Sequence, residues 1–148
     1  MAIRYYTDQT NYRFTQRRLI SSWLKLAAKG EGYDVGDINI IFTSSKRLLE
    51  INREYLSHDY FTDIITFDDS DLESGYICGE LYIDVETVED NAKELGVAPL
   101  CEMHRIIVHG VLHLCGQGDK SPEDNKTMHA KEDRALELLE ELKSNASR

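Results

Sequence analysis

The chain has 148 residues, of which 41% are hydrophobic and 30% are charged, a composition typical of a folded globular protein and not of a disordered one. Its formal net charge of −10 argues against an extended nucleic-acid-binding surface. No apolar run approaches the roughly 18 residues of a membrane span, and three cysteines without paired spacing argue against a disulfide framework, so we expect a cytoplasmic protein without a membrane partner.

Strand and helix patterns alternate along the chain. Runs rich in β-branched and aromatic side chains predict strands, and apolar residues at three- and four-residue spacing predict helices. In chain order these are a strand at 3–6, a helix at about 15–29, a strand at 38–42, a helix at 46–55, strands at 62–67 and 79–83, and helices at 85–95, 99–114 and 122–143. A polar turn over 68–75 allows a hairpin-like return between the third and fourth strands.

This order of elements predicts an α+β fold. We expect a small mixed four-stranded sheet packed with about five helices. The helix over 99–114 is apolar on most sides, so it is expected to lie in the core. No linker is long enough to divide the chain, and residues 1–148 are therefore expected to form a single domain.

Three candidate metal ligands lie at the end of the core helix. His109 and His113 are four residues apart, about one helical turn, and so point to the same side. Gly116 and Gly118 allow the chain to reverse, which brings Asp119 back toward the two imidazoles. Three protein ligands with room for a water in a fourth position are typical of a catalytic zinc site.

The spacing His-x-x-x-His-x-x-Gly-x-x-Asp is also that of one group of zinc proteases, with Asp119 in place of their usual third histidine. Those enzymes need a glutamate directly after the first histidine as general base, and this chain has Gly110 there. A metal still activates water without that glutamate. Hydrolysis of a phosphodiester therefore fits the motif better than hydrolysis of a peptide.

The motif resembles the YbeY-like endoribonucleases, the bacterial maturation factors of ribosomal RNA. Further matches follow in the order in which that family has them, across about residues 40 to 135. They are Ile51-Asn52-x-x-Tyr55, then Asp59, the segment from Thr62 to Phe67, the segment from Gly79 to Ile83, and Met128. The resemblance implies a single-domain α+β protein and a metal-dependent endoribonuclease specific for single-stranded RNA. It further implies a role in 3′ maturation of small-subunit ribosomal RNA and in ribosome quality control, with ribosomal RNA and the small ribosomal subunit as partners.

The chain departs from this family at two positions. The resemblance implies one Zn²⁺ per chain held by His109, His113 and Asp119, but the family's third ligand is usually histidine; two histidines and a carboxylate also suit iron, nickel or manganese. Leu56 stands where the family usually has an arginine that contacts the RNA phosphate. Arg53, one helical turn earlier, either replaces that arginine in a basic groove with Lys46 and Arg47 or is an ordinary surface residue.

Two other functions remain as alternatives. One is a ribosome-assembly binding factor whose metal is structural, an interpretation favoured by Leu56 and by the net charge of −10. The other is a metallopeptidase, which Gly110 disfavours. Beyond the three ligands, no catalytic residue is identified. Glu102 either orients a ligand or is a carboxylate at the start of its helix, and His104 is expected to form a hydrogen bond within the core.

Overall fold

The computed structural model describes residues 2–56 and 62–146. Within these residues the chain forms four strands and five helices in the predicted order. They are β1 (Ile3–Asp8), α1 (Arg17–Gly30), β2 (Asp34–Thr43), α2 (Ser45–Leu56), β3 (Ile64–Asp68), β4 (Tyr76–Asp84), α3 (Val85–Leu95), α4 (Pro99–Leu114) and α5 (Pro122–Ala146). The α+β class is therefore confirmed.

The four strands form one mixed sheet in the order β1-β2-β4-β3. Strands β1, β2 and β4 run parallel, with Ile38 of β2 opposite Ile3 of β1 and Gly79 of β4. Strand β3 pairs antiparallel with β4, so the hairpin-like return predicted after residue 67 is confirmed. In the described part of the chain, β3 pairs with β4 alone and lies at one edge of the sheet.

The sheet carries helices on both faces. On β3, Ile65 packs with Leu48 and Ile51 of α2. The neighbouring Ile64 packs against the larger core, which contains buried residues of α1, α4 and α5. Successive side chains of a strand point to opposite faces, so α2 covers one face and the larger core lies on the other.

Helix α4 lies in that core, as predicted. Ten of its 16 residues are buried, and it contacts β3 and β4 on one side and α1, α3 and α5 on others. Among the described residues, no single helix has the length and apolar composition needed to cross a membrane; α3 and α4 meet that test only as a pair, across a bend of 117°.

Gly110 brings α4 close to the sheet. A Cβ atom at this position would lie 2.9 Å from both Cδ atoms of Leu81 and 3.0 Å from Cδ1 of Ile64. These separations are too short for carbon atoms that are not bonded, so a larger side chain would push the helix away from β3 and β4. The glycine thus sets the distance at which the neighbouring His109 lies from the sheet.

His104 lies on α4 within the core, and its side chain is only 2% exposed. Its ring makes edge contacts with Phe14 and Trp23. Nε2 of His104 has no hydrogen-bond partner in the part of the chain that the structure describes, so this nitrogen does not form the hydrogen bond expected from the sequence. Burial lowers the pKa of His104 to about 4, and the charge of Lys143 acts in the same direction.

Acid should destabilise this fold through His104. The unfolded chain binds a proton near pH 6.5 and the folded chain near pH 4, so the free energy of unfolding falls as the pH drops through that window, by at most about 1.4 kcal/mol per pH unit. We expect His104→Leu to flatten the dependence of Tm on pH between 6.5 and 4, measured by thermal unfolding with metal removed by a chelator. Equal pH slopes for the variant and the wild type would contradict this assignment.

Candidate metal centre

The structure brings His109, His113 and Asp119 together at one point. The two Nε2 atoms are 3.0 Å apart, and they lie 3.4 and 3.3 Å from Oδ2 of Asp119. A tetrahedral zinc ion with bonds of about 2.0–2.1 Å separates its ligand atoms by roughly 3.3–3.4 Å. The three side chains are 19, 27 and 31% exposed, so the cluster is open on one side. The group could hold a metal ion.

The end of α4 fixes the direction of the chain after the second histidine. Gly116 has a left-handed φ of 93°, and its amide donates to the carbonyl of His113. The amide of Gln117 donates to the carbonyl of Leu112. This pair of bonds is a Schellman motif, which ends a helix and reverses the chain. Gly116 therefore allows the chain to reverse at the end of α4, as the sequence predicted.

The start of α5 fixes Asp119 from the other side. Oγ of Ser121 accepts a hydrogen bond from the amide of Asp124, and Pro122 follows at the first helical position. Nδ2 of Asn125 donates to the carbonyl of Asp119 at 3.5 Å. Asp119 is thus held in a short segment between two ordered helix ends, and its carboxylate faces the histidines.

Glu132 is a further residue of the centre, and the sequence did not reveal it. Its Oε2 lies 2.6 Å from Nδ1 of His109, while its Oε1 accepts from Nη1 of Arg105 at 2.9 Å. A ring nitrogen that donates to a carboxylate leaves the other nitrogen with its lone pair for a metal. Glu132 therefore orients His109 so that Nε2 faces His113 and Asp119.

A signal for Glu132 exists in the sequence of α5. Met128, Ala135 and Leu139 form the buried stripe of this helix, and Glu132 lies on the same stripe with 3% exposure. A carboxylate among apolar positions needs a buried partner. The pattern does not tell which partner, because His109 is 23 residues away in the chain.

The charges around His109 favour a cation. Burial alone would lower the pKa of His109, but its hydrogen bond to Glu132 and the charges of Glu132 and Asp119 raise it. Burial alone would raise the pKa of Glu132, but hydrogen bonds from His109 and Arg105 lower it. Both pKa shifts arise because carboxylates near His109 stabilise positive charge at its ring. They would do so whether that charge is a proton or a metal ion.

The cluster opens into a cleft of about 490 Å³ between β3 and the segment that carries Asp119. Its described lining residues are Thr62, Asp63, Ile64, Thr66, Asp68, His109, His113, Asp119 and Lys120. A second pocket of about 580 Å³ adjoins it and shares Asp63, His109 and Asp119. Burial raises the pKa of Asp63, and the charge of His109 opposes that shift.

Glu102 lies in the first turn of α4 and lines the second pocket. Its side chain is buried, and burial raises the pKa of its carboxyl group. The carboxylate that accepts a hydrogen bond from Nδ1 of His109 is that of Glu132, on α5. The sequence therefore suggested an orienting carboxylate on the face of α4 that carries His109, but the carboxylate that contacts His109 is Glu132 of α5.

The cationic residues of α2 are not among the described residues that line the cleft. Arg53 is exposed on α2 and is not among the described residues that line the cleft. Arg47 is bound to Asp8 at 2.9 Å and to Glu50 at 3.3 Å, and Lys46 is exposed. Leu56 is the last residue of the helix, and its side chain is exposed. Asp59, part of the resemblance, lies outside the described residues.

Comparison with known proteins identifies the family. The family model described as Endoribonuclease YbeY matches residues 3–140. The chain belongs to the endoribonuclease YbeY family. The chain is 44% identical over 141 residues to the Endoribonuclease YbeY of Parabacteroides distasonis, covering 95% of this chain and 98% of that protein. It is 43% identical over 136 residues to the Endoribonuclease YbeY of Cytophaga hutchinsonii, with 92 and 94% covered.

A solved structure supports the same fold. The solution structure of a Thermotoga maritima protein superimposes with a TM-score of 0.67 at 27% sequence identity, covering 97% of this chain and 93% of that one. Membership of the YbeY family assigns the chain to the endoribonuclease class of enzymes. The resemblance read from the two histidines and the flanking segments is thereby confirmed.

Replacing Glu132 by glutamine should weaken metal binding while keeping the shape of the side chain. Loss of the carboxylate charge is expected to lower the affinity for Zn²⁺ by about 10–100-fold, measured by competition with a chromogenic chelator. Asp133→Asn is the matched control, since Asp133 is 62% exposed and contacts Nη2 of Arg105, not a histidine. Equal zinc affinity for Glu132→Gln and Asp133→Asn would show that Glu132 does not orient the ligand.

Proposed function

We propose that the chain is a zinc-dependent endoribonuclease that cleaves single-stranded RNA. His109, His113 and Asp119 are the proposed metal ligands. The observation that carries the proposal is the convergence of their three ligand atoms, 3.0–3.4 Å apart, at the floor of an open cleft. The endoribonuclease name of the family supplies the reaction.

The residues present fit a zinc ion. Two imidazole nitrogens and one carboxylate oxygen are ordinary zinc ligands, and Glu132 supplies the carboxylate partner that zinc-bound histidines usually have. Zinc bound there would act as a Lewis acid that lowers the pKa of a bound water to about 7 and polarises a phosphate oxygen. The same donor set suits iron, nickel or manganese, so zinc is proposed from the family resemblance.

The surroundings of the ligands favour a phosphodiester over a peptide as substrate. Gly110 takes the place of the protease glutamate, and the space beside its Cα is filled by Leu81 and Ile64. A glutamate there would collide with the sheet instead of reaching the cleft. The chain thus has no general base at the position that a metallopeptidase of this spacing uses.

The family resemblance also supports a more specific role. We propose 3′ maturation of small-subunit ribosomal RNA and ribosome quality control in the cytoplasm, with ribosomal RNA and the small ribosomal subunit as partners. Residues 1–148 are proposed to form one domain, because a single core cluster includes buried residues from Phe14 to Leu139.

Removal of one ligand tests the proposal. We expect His113→Ala to lose stoichiometric zinc and to reduce cleavage of a single-stranded RNA oligonucleotide by at least about 100-fold, because two ligands remain. Zinc added after chelation should restore cleavage by the wild type and not by the variant. Elemental analysis and a gel-based cleavage assay measure the two results.

Two results would count against this function. A metal-free His113→Ala protein that cleaves at the wild-type rate contradicts metal dependence. A zinc-loaded wild type that binds small ribosomal subunits but cleaves no RNA favours the second candidate, a ribosome-assembly binding factor with a structural metal, which the net charge of −10 and Leu56 support.

A further inference from the structure

The edge of β3 that faces away from β4 carries main-chain groups at regular intervals. The amide of Asp84 donates to the carbonyl of Asp63, and the amide of Asp69 donates to the carbonyl of Cys78. In an antiparallel ladder such bonded pairs alternate with non-bonded ones, so residues 63, 65, 67 and 69 direct their N–H and C=O groups to β4. Ile64, Thr66 and Asp68 direct theirs to the open edge.

The residues of β3 that direct their main-chain groups to the open edge also line the cleft beside the candidate metal ligands. Ile64, Thr66 and Asp68 are lining residues, whereas Ile65 and Phe67 are not among those described. Their side chains also lie on the α4 face of the sheet, as the packing of Ile64 shows. Residues at the open edge of β3 therefore form one wall of the cleft that His109 and His113 also line.

Lys120 lies at the other wall. It follows Asp119 directly and precedes the Ser121 cap of α5, so its backbone is held by the same two helix ends that position Asp119. Its side chain is exposed, and it is the one lysine or arginine among the described residues that line the cleft. Asp68, at the end of β3, also lines the cleft, and its carboxylate accepts a hydrogen bond from the amide of Ser70 at 2.9 Å.

We propose that Lys120 and the open edge of β3 at Thr66 form a phosphate-binding subsite that positions the RNA backbone beside the metal ligands. This inference rests on the proposed function. A lysine ammonium, an amide N–H and a threonine hydroxyl are all donors that proteins use to bind phosphate oxygens. None of these contacts reads a base, so the subsite would bind RNA of any sequence.

The repeat of the strand suits an extended nucleic-acid strand. Outward-facing N–H groups recur every second residue, about 6.6–6.8 Å apart. This repeat is close to the separation of successive phosphates in an extended single strand. The lysine also supplies a local positive charge in a chain whose net charge is −10.

Lys120→Ala and Lys120→Arg test the contribution of the Lys120 charge to RNA binding. Lys126→Ala is the control, because the side chain of Lys126 is exposed on α5. In zinc-loaded protein, Lys120→Ala should raise KM for a single-stranded RNA oligonucleotide by about tenfold and change kcat by less than about twofold. The slope of log KM against log salt concentration should fall by about 0.7, as expected for one lost phosphate contact. Lys120→Arg should restore both values, and Lys126→Ala should match the wild type.

Thr66→Pro and Thr66→Val test the contribution of the open edge of β3 to RNA binding. Proline removes the outward N–H and is tolerated in an edge strand at such a position, whereas valine removes only the hydroxyl. Thr66→Pro should raise KM by about threefold to tenfold, and Thr66→Val should raise it less. Tm and zinc content should stay within error of the wild type for every Lys120 variant and for Thr66→Val, which separates binding from folding.

The outcomes distinguish this inference from the function on which it rests. A wild type that cleaves RNA, together with a Lys120→Ala variant of unchanged KM and salt slope, overturns the subsite alone. A wild type that cleaves no RNA overturns the proposed function and the subsite with it. A KM that rises equally in Lys126→Ala attributes the effect to net charge and also overturns the subsite.

Discussion

The hydrogen bond between Nδ1 of His109 and Glu132 is the contact on which the rest of the centre depends. At 2.6 Å, with the carboxylate also bound to Arg105, it joins α4 to α5 and settles which nitrogen of His109 faces the cluster. His113 follows by helical spacing, and Asp119 by the two helix ends that flank it. A change at Glu132 would therefore alter the candidate metal site without removing a proposed ligand.

Local regularities made most of the fold and the cluster of candidate ligands predictable from the sequence. Helical spacing places His109 and His113 on one side of α4, and Gly116 marks the end of that helix. Contacts between distant segments were not predictable. Glu132 meets His109 only because α5 packs on α4, and the sheet order that leaves β3 at the edge depends on pairing between strands far apart in the chain.

The net charge of the whole chain and the charges near the candidate metal ligands have different consequences. The net charge of −10 disfavours a broad nucleic-acid-binding surface, and Arg47, which the sequence placed in a basic groove, is instead bound to Asp8 and Glu50. Near the cluster, carboxylates surround His109 and create a site for a cation. A metal ion and Lys120 would add positive charge to a cleft whose described lining otherwise carries Asp63, Asp68 and Asp119, and both could contact a phosphate group.

The proposed function requires one metal ion bound by His109, His113 and Asp119. It is tested most directly by a crystal structure of protein purified without chelator, with anomalous data collected on both sides of the zinc absorption edge. We expect one anomalous peak per chain, about 2.0–2.2 Å from both Nε2 atoms and a carboxylate oxygen of Asp119. A peak held by other residues, or electron density for a water alone among the three side chains in fully zinc-loaded protein, would contradict it.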